Sequence, residues 1–407
     1  MNTPKINTIN QEDTDTLIRI RRYLHAHPEL SFEESNTANY IEQQLASFGI
    51  ESVTRCAETG VIALIQGAHP GPTLAFRGDI DALPIIEDSD KPYCSTSPGV
   101  MHACGHDVHT TLGLGVAQQL YKQRDQLHGT IKLIFQPAEE APPQNEPIGA
   151  ARMVHEGALE NPDVDAIFAF HCMPTLDVGK IGFTQGPVWA GSDLVEITLR
   201  GKKTHAAYPH SGRDAIVAAS QLVMALQTIT SRLIDTRQPT VLSFGKIEAG
   251  ESYNIIADTA KLTGILRSLS SEASQIAHTE IDRITHGIAQ ATGTTAEITI
   301  TKGARLVANN VNLEARCVQH MREALGDQAL VHHLPQLGAE DFAAFSQAVP
   351  ACYLFLGIRN ESKGITHMLH TPKFDVDEDC ISLGVQAMSH AMLQIGQRWD
   401  DLSLNQN

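Results

Sequence analysis

The sequence predicts an α/β protein built on a helix-flanked, mostly parallel sheet, into which a ferredoxin-like α+β domain is inserted. Two observations lead to this prediction. Apolar, β-branched runs alternate with helical periodicity before residue 187 and after residue 303, as in parallel sheets joined by helices. Residues 188–302 instead follow a β-α-β-β-α-β order. A chain of 407 residues is longer than the chains that usually fold around a single hydrophobic core, so we expect two domains. One is formed by 1–187 with 303–407 and the other by 188–302.

The first domain is predicted to begin with two helices, at 14–27 and 34–48. The second helix carries its apolar residues on one face and is followed by Gly49, which favours the end of a helix. Strands and helices then alternate, and each strand is a short apolar run. The strands are expected at 60–65, 73–76, 130–136 and 164–170, and the helices at 109–127 and 148–159.

The inserted domain contains four predicted strands and two predicted helices. The strands are expected at 193–200, 240–247, 258–267 and 295–301, and the helices at 213–234 and 271–292. In a ferredoxin-like fold both helices cover the same face of the sheet. After the insert, a helix is expected at 311–325 and a strand at 351–356. They resume the alternation of helix and strand seen before the insert and are expected to complete the first domain.

The composition is that of a globular, acidic protein. Hydrophobic residues make up 42% of the chain, and 30 basic against 47 acidic residues give a formal net charge of −17. This charge argues against a nucleic-acid partner. Seven cysteines, an odd number in a long chain, favour reduced thiols. The N-terminus lacks the apolar core of a secretory signal, and we find no stretch as long as a membrane span, so a cytoplasmic location without a membrane partner is expected.

Polar residues of ligand type follow three of the predicted strands. The strand at 73–76 runs into Asp79 and Asp81, the strand at 130–136 runs into two adjacent glutamates, and the strand at 164–170 runs into His171. In open α/β sheets the ligand crevice lies outside the carboxyl ends of the strands. These strand ends are therefore predicted to converge on one site.

The candidate ligands are those of a hydrolytic metal centre. Catalytic zinc-type sites combine nitrogen, sulfur and carboxylate ligands with an open position for water, and two-metal hydrolases hold their ions roughly 3.5–4 Å apart. Five candidates are more than one tetrahedral site requires, so a bridging thiolate with the others divided between two ions is expected. The candidates are Cys104, His106, Glu140, His171 and His370. Of the paired glutamates, Glu140 is interpreted as a ligand and Glu139 as the general base.

Each residue also has an ordinary structural interpretation. A free cysteine such as Cys104 is more often a small core residue, His171 could be a core histidine, and His370 could belong to a surface loop. Asp79 and Asp81 could start a turn before Pro84, and this alternative competes evenly with support of a histidine ligand. The combination of these residues, rather than any one of them, favours the metal site.

The chain resembles the aminoacylase/carboxypeptidase metallopeptidases, in the amidohydrolase branch that contains hippurate hydrolases and plant auxin-conjugate hydrolases. The resemblance covers almost the whole chain and rests on five ordered motifs. These are Arg22-Tyr-Leu-His25-Ala-His-Pro28-Glu29-Leu30, Arg77-Gly-Asp79-Ile-Asp81-Ala-Leu-Pro84, Met101-His-Ala-Cys104-Gly-His106-Asp107-Val-His109, Gln136-Pro-Ala-Glu139-Glu140 and Leu369-His370-Thr-Pro372-Lys-Phe374. The resemblance implies the same five ligands for a binuclear centre and Glu139 as general base.

The resemblance further implies roles for three residues of the inserted domain. His205 would stabilise the oxyanion, and Asn254 and Arg267 would hold the substrate carboxylate. In similar proteins this histidine can reach the site of a neighbouring subunit, so a homodimer through the inserted domain is a further expectation. Lys203-Thr204 and Trp189 depart from the family pattern and put the substrate preference in question.

The implied activity is metal-dependent hydrolysis of the amide bond in N-acyl amino acids, with two divalent ions (zinc, manganese, cobalt or nickel) and a small-molecule substrate. A dipeptidase or carboxypeptidase acting on short peptides is the alternative within enzymes. A non-catalytic metal-binding scaffold is the alternative outside them, although such a protein would have no need of Glu139 or His205.

Overall fold

Two units make up the chain in the computed structural model, which describes residues 9–141 and 147–404. The smaller unit is Pro187–Val307 with Pro335–Glu340, and the larger unit takes in the other described residues. The predicted insert, 188–302, differs from the smaller unit by a few residues at its junctions and by the short second segment. The first eight residues, part of the stretch expected to lack a secretory signal, lie outside the described range.

Helices and strands alternate along most of the chain. The helices are α1 (Gln11–Ala26), α2 (Ser35–Ser47), α3 (His106–Lys122), α4 (Gly149–His155), α5 (Ala215–Thr228), α6 (Ser271–Thr292), α7 (Val311–Leu325), α8 (Ala343–Ala348) and α9 (Asp379–Gln397). The strands are β1 (Val53–Cys56), β2 (Gly60–Gln66), β3 (His69–Asp79), β4 (His128–Gln136), β5 (Ala166–Asp177), β6 (Ile181–Phe183), β7 (Pro187–Trp189), β8 (Gly191–Arg200), β9 (Thr204–His205), β10 (Thr240–Ala249), β11 (Ile255–Ile256), β12 (Thr259–Ser268), β13 (Thr295–Lys302), β14 (Val307–Ala308), β15 (Leu330–His332) and β16 (Ala351–Arg359).

The larger unit is built on an eight-stranded sheet with the order β1-β2-β4-β3-β5-β16-β6-β15. Its central strands β4, β3, β5 and β16 are parallel to one another. Antiparallel pairs join β2 to β4 and β1 to β2 at one side, and β16 to β6 at the other. Almost every residue of β4 and β16 is buried, as expected for strands with helices on both faces of the sheet. The prediction of a helix-flanked, mostly parallel sheet is confirmed.

Helix α3 runs through the core of the larger unit. Its residues from His106 to Leu120 are all buried, and it packs against α1 and α9. Helix α9 was not predicted from the sequence. Several predicted boundaries were wrong. The helices expected at 109–127 and 148–159 end at Lys122 and His155, and the strands expected at 73–76 and 164–170 continue to Asp79 and Asp177.

The smaller unit contains a four-stranded antiparallel sheet with the order β10-β12-β8-β13. Alternate residues of the central strands, such as Val195 and Leu262, point into a core shared with α5 and α6. The strand order and the two helices are those of a ferredoxin-like module. This part of the fold prediction is confirmed as well.

One helical stretch, Ala215–Leu233, is long and apolar enough to cross a membrane. Of its most apolar 18-residue segment, 28% is buried inside the protein. The prediction that no stretch reaches this length was therefore wrong. The buried face of the stretch, including Leu222 and Leu226, packs in the core of the smaller unit. Because core helices can pass the same test of length and composition, a single such helix is weak evidence for a membrane span.

Candidate metal centre

Cys104 and His106 stand on either side of the residue that starts helix α3. Gly105 has a φ of +90° and is the N-cap of that helix. A Cβ at this position would lie 2.9 Å from both Cβ and Sγ of Cys172. Glycine therefore satisfies two demands at once, a left-handed backbone and close packing on β5. The resulting turn presents the Cys104 thiol and the His106 imidazole to the same space.

The imidazole of His106 is oriented by Asp81. Its Nδ1 lies 2.8 Å from the backbone carbonyl oxygen of Asp81 and 3.1 Å from Oδ1 of the same residue. A carbonyl oxygen only accepts, so Nδ1 carries the proton and donates it. Nε2 of His106 is buried and has no hydrogen-bond partner among the described residues. Its lone pair is thus available to a cation, as in histidine ligands held by a second hydrogen bond.

Two further histidines direct Nε2 at the Cys104 sulfur. His171 Nε2 lies 3.6 Å from Sγ, and His370 Nε2 lies 3.3 Å from it. The Nδ1 of His171 donates to the carbonyl oxygen of Cys172 at 2.8 Å, which leaves Nε2 unprotonated in the neutral ring. His171 lies inside β5 rather than beyond its end, which corrects the prediction.

Glu140 completes the group of candidate ligands. Its Oε1 lies 3.0 Å from His370 Nε2, and one donor atom each from Cys104, His106 and Glu140 all lie within 4.8 Å of one another. The structure thus brings all five predicted ligands together around the Cys104 sulfur. One thiol, three imidazoles and one carboxylate form a donor set suited to zinc and similar transition metals. The residues fit a metal centre in which Cys104 is central.

Asp81 and Asp79 support this cluster. Oδ2 of Asp81 accepts the backbone N–H of Glu140 at 2.9 Å, so Asp81 contacts two of the candidate ligands. Asp79 Oδ1 lies 2.6 Å from His109 Nδ1, and Nε2 of His109 accepts the backbone N–H of Cys172 at 2.8 Å. Of the two alternatives left open for these aspartates, the contacts favour the support of ligands over a simple turn.

Charge and burial act against each other at this site. Burial raises the pKa of the Cys104 thiol well above its usual range, although His106 counteracts this rise. Burial alone would lower the pKa of His106, but Asp79, Cys104 and the hydrogen bond to Asp81 raise it overall. For His171, burial and the nearby His109 lower the pKa well below its usual value. A bound cation would favour the thiolate and the neutral imidazole that ligation requires.

Glu139 lies at the edge of the cluster. Its Oε2 is 3.9 Å from His106 Nε2, and its side chain is mostly buried. Ala138, which precedes it, has a φ of +54°, so the chain turns sharply between the end of β4 and the two glutamates. This turn directs the adjacent carboxylates differently, which is the arrangement expected of one ligand and one base.

The remaining predicted site residues lie in the smaller unit. His205 is exposed on β9, where its Nδ1 accepts the backbone N–H of Ala207 at 3.1 Å. Asn254 lies beside His205, since the backbone carbonyl oxygen of Asn254 accepts the backbone N–H of Ala206 at 2.9 Å. Arg267 lies on a different element, β12, and its buried Nη1 has no hydrogen-bond partner in the described part of the chain. The structure thus places two of the three residues together.

Comparison with known proteins identifies the family of the chain. The sequence profile of Peptidase family M20/M25/M40 matches residues 75–394. The chain belongs to this family. It is 38% identical over 386 residues to thermostable carboxypeptidase 1 of Saccharolobus solfataricus, covering 95% of this chain and 96% of that protein. It is also 38% identical over 367 residues to an N-acetyl-L-cysteine deacetylase of Bacillus subtilis, covering 90% of this chain and 84% of the relative.

A solved structure extends the comparison to the fold. The crystal structure of the Bacillus subtilis YXEP protein, described as a dinuclear metal binding peptidase from the M20 family, matches with a TM-score of 0.82 and 34% identity. The match covers 95% of this M20 chain and 99% of that one. The predicted family and fold are confirmed, and the chain is a hydrolytic enzyme that acts on amide bonds.

Sequence reasoning missed a buried charge network beside the cluster. Asp107, next to His106, lies 2.7 Å from Arg21 Nε and 2.8 Å from His25 Nδ1. Arg21 and Asp107 are both fully buried. The first family motif includes His25, and this histidine could have pointed to the network. No local pattern connects it to a partner more than eighty residues away.

Proposed function

We propose that this M20 enzyme hydrolyses the amide bond of N-acyl amino acids at a centre of two divalent ions. One observation carries the proposal: the side chains of His171, His370 and Glu140 meet at the Cys104 sulfur, with His106 next to them. The name of the deacetylase relative supports an N-acyl substrate. The description of the YXEP protein supports two ions rather than one.

The proposed roles follow from the geometry of the cluster. Cys104, His106, Glu140, His171 and His370 would hold the ions. Divalent ions held here would lower the pKa of a bound water and polarise the scissile carbonyl. Glu139 takes the proton from the attacking water and returns it to the leaving amine. Its place at the edge of the cluster, 3.9 Å from His106 Nε2, supports this role.

The smaller unit is proposed to hold the substrate. His205 would stabilise the oxyanion, and Asn254 and Arg267 would bind the free carboxylate. Burial lowers the pKa of Arg267 despite the nearby Asp193, yet a guanidinium stays charged at neutral pH. Its Nη1, without a hydrogen-bond partner among the described residues, is suited to an anionic ligand. Catalysis then requires residues of both units.

We also propose a homodimer through the smaller unit. Helix α5 exposes Ile216, Val217 and Met224, with 45%, 48% and 73% of each residue accessible. Strand β10 is an edge strand of the small sheet, and its Ile247 is 56% exposed. A second copy of the chain could cover this apolar face and pair with the edge.

A cytoplasmic location is proposed as well, supported by seven cysteines that are all free thiols.

Metal dependence and the substrate class can be tested together. Extensively dialysed, metal-free protein should be inactive and should regain activity on addition of Zn²⁺, Mn²⁺, Co²⁺ or Ni²⁺. On reconstituted enzyme, hippurate and N-acetyl amino acids should be hydrolysed faster than unblocked dipeptides. A clear preference for the unblocked peptides would promote the peptidase alternative, which the carboxypeptidase relative supports. Equal turnover before and after metal removal would contradict the metal centre itself.

A further inference from the structure

A buried glutamate outside the metal centre holds the loop that carries Glu139 and Glu140. The Glu34 side chain is fully buried. Its Oε1 accepts the backbone N–H of Ala138 at 2.9 Å, and its Oε2 accepts the hydroxyl of Thr59 at 2.7 Å. Both carboxylate oxygens therefore have a donor, which is what a buried carboxylate requires.

The residue that Glu34 holds has a strained backbone. Ala138 has a φ of +54° and is fully buried. Residues other than glycine adopt this left-handed conformation at an energetic cost, and it persists only where surrounding contacts impose it. The hydrogen bond from Ala138 to Glu34 is such a contact. Because Glu139 and Glu140 follow directly, the direction of both carboxylates depends on this turn.

The same segment supports the opposite side of the cluster. Ser31 Oγ donates to Asp81 Oδ2 at 2.8 Å, and the backbone N–H of Ala82 donates to the carbonyl oxygen of Glu29 at 2.8 Å. Asp81 in turn orients His106 and accepts the N–H of Glu140. Residues 29–34 thus bind the Asp81 loop and the Ala138 turn at the same time.

We infer that Glu34 is a positioning residue of the metal centre, which fixes the Ala138 turn so that Glu140 meets the other ligands and Glu139 stays beside them. The inference rests on the metal centre of the proposed function. Burial raises the pKa of Glu34 to about 6, against the lowering effect of the hydrogen bond from Thr59. The group is therefore mostly ionised at neutral pH, and a charge-assisted bond to Ala138 is the stronger kind.

The inference predicts a loss of metal affinity in Glu34→Ala. The Kd for Zn²⁺ should be measured on metal-free protein by competition with a chromogenic chelator, since this readout needs no turnover. Partners of metal ligands typically contribute about 10–100-fold in affinity, so Glu34→Ala should weaken Zn²⁺ binding by that order. Glu33→Ala is the matched control, because the adjacent Glu33 side chain is exposed, and it should bind Zn²⁺ like the wild type.

Conservative variants separate the hydrogen bond from a general loss of structure. Glu34→Gln keeps an acceptor for Ala138 and should restore Zn²⁺ affinity to within a few-fold of the wild type. Glu34→Asp keeps the charge on a shorter side chain that cannot reach both donors, and it should bind Zn²⁺ as poorly as Glu34→Ala. Far-UV circular dichroism of the metal-free proteins verifies folding. If Glu34→Ala fails to fold, Glu34→Asp decides the question.

Two results would overturn the inference. One is wild-type Zn²⁺ affinity in folded Glu34→Ala or Glu34→Asp. The other is a Glu34→Gln variant as weak as the alanine variant, since the hydrogen-bond acceptor would then be irrelevant. Neither result depends on the substrate. A wild-type protein that binds two ions but cleaves no N-acyl amino acid would contradict the proposed function and leave the role of Glu34 intact.

Discussion

Adjacent glutamates at the end of β4 occupy different positions relative to the cluster. Glu140 Oε1 lies 3.0 Å from His370 Nε2, whereas Glu139 Oε2 lies 3.9 Å from His106 Nε2. Glutamine retains the shape of either side chain but neither the negative charge nor the basicity. Glu139→Gln should therefore keep its metal and lose about 10²–10⁴ in turnover, the usual contribution of a general base. Glu140→Gln should instead bind metal more weakly.

Metal content and kcat of the two variants, measured at the same Zn²⁺ concentration, check this assignment. The two substitutions are identical and adjacent, so each serves as the control for the other. Loss of metal from Glu139→Gln, with none lost from Glu140→Gln, would reverse the roles of the two residues.

Glu314 is a buried acid with no evident place in catalysis. It lies in the first turn of α7 with 1% of its surface exposed, and neither carboxylate oxygen has a hydrogen-bond partner among the described residues. Burial raises its pKa to about 7, with Arg322 opposing the rise. The folded state thus favours the protonated form. The stability that this group contributes is complete below the pKa of a glutamate in the unfolded chain, falls as the pH rises above that value, and is lost once the pH passes about 7.

Glu314→Gln should remove this part of the pH dependence. Between about pH 4.5 and 7 the free energy of unfolding of the wild type should fall more steeply than that of the variant, by up to about 1.4 kcal/mol per pH unit for one proton. Urea unfolding at matched metal load measures both slopes. Glu51→Gln, which changes an exposed glutamate, should keep the wild-type slope. Parallel slopes for Glu314→Gln and the wild type would exclude the effect.

At the scale of elements, two amphipathic helices were predicted to the residue, whereas one largely buried helix was missed. The helices α6 and α7 begin and end where the periodicity predicts, because each has one apolar face and one polar face. Helix α9 was missed. It is buried at nearly every position from Val385 onward except Gln386, so few exposed polar residues mark its solvent side.

Three of the five candidate ligands could be found from local patterns, because Cys104 and His106 adjoin the start of α3 and Glu140 follows β4. Parallel strands place their carboxyl ends at one edge of the sheet, so local patterns there report on a shared site. The contacts that hold the ligands could not be found in this way. Glu34 reaches Ala138 across 104 residues, and Arg21 reaches Asp107 across 86. Such pairs depend on how α1 and α2 dock, which no local pattern encodes.

At the scale of the whole molecule, the proposed chemistry is divided between the two units. All five candidate ligands and Glu139 belong to the larger unit, whereas His205, Asn254 and Arg267 belong to the smaller one. The proposed homodimer would allow the two sets to come from different subunits. The exposed apolar face of α5 and the free edge of β10 favour a dimer. The question is then whether the His205 that acts at one metal centre belongs to the same subunit or to its partner.

Mixed dimers can answer this question. His205→Ala should lose about 10²–10³ in turnover without losing metal, the usual effect of removing one oxyanion donor. If His205 acts across a dimer, inactive Glu139→Gln and inactive His205→Ala subunits should recover part of the activity when they are co-assembled, because one hybrid site then contains both groups. Verified mixed dimers that stay inactive would place His205 in the site of its own subunit. Wild-type turnover in His205→Ala alone would remove it from catalysis altogether.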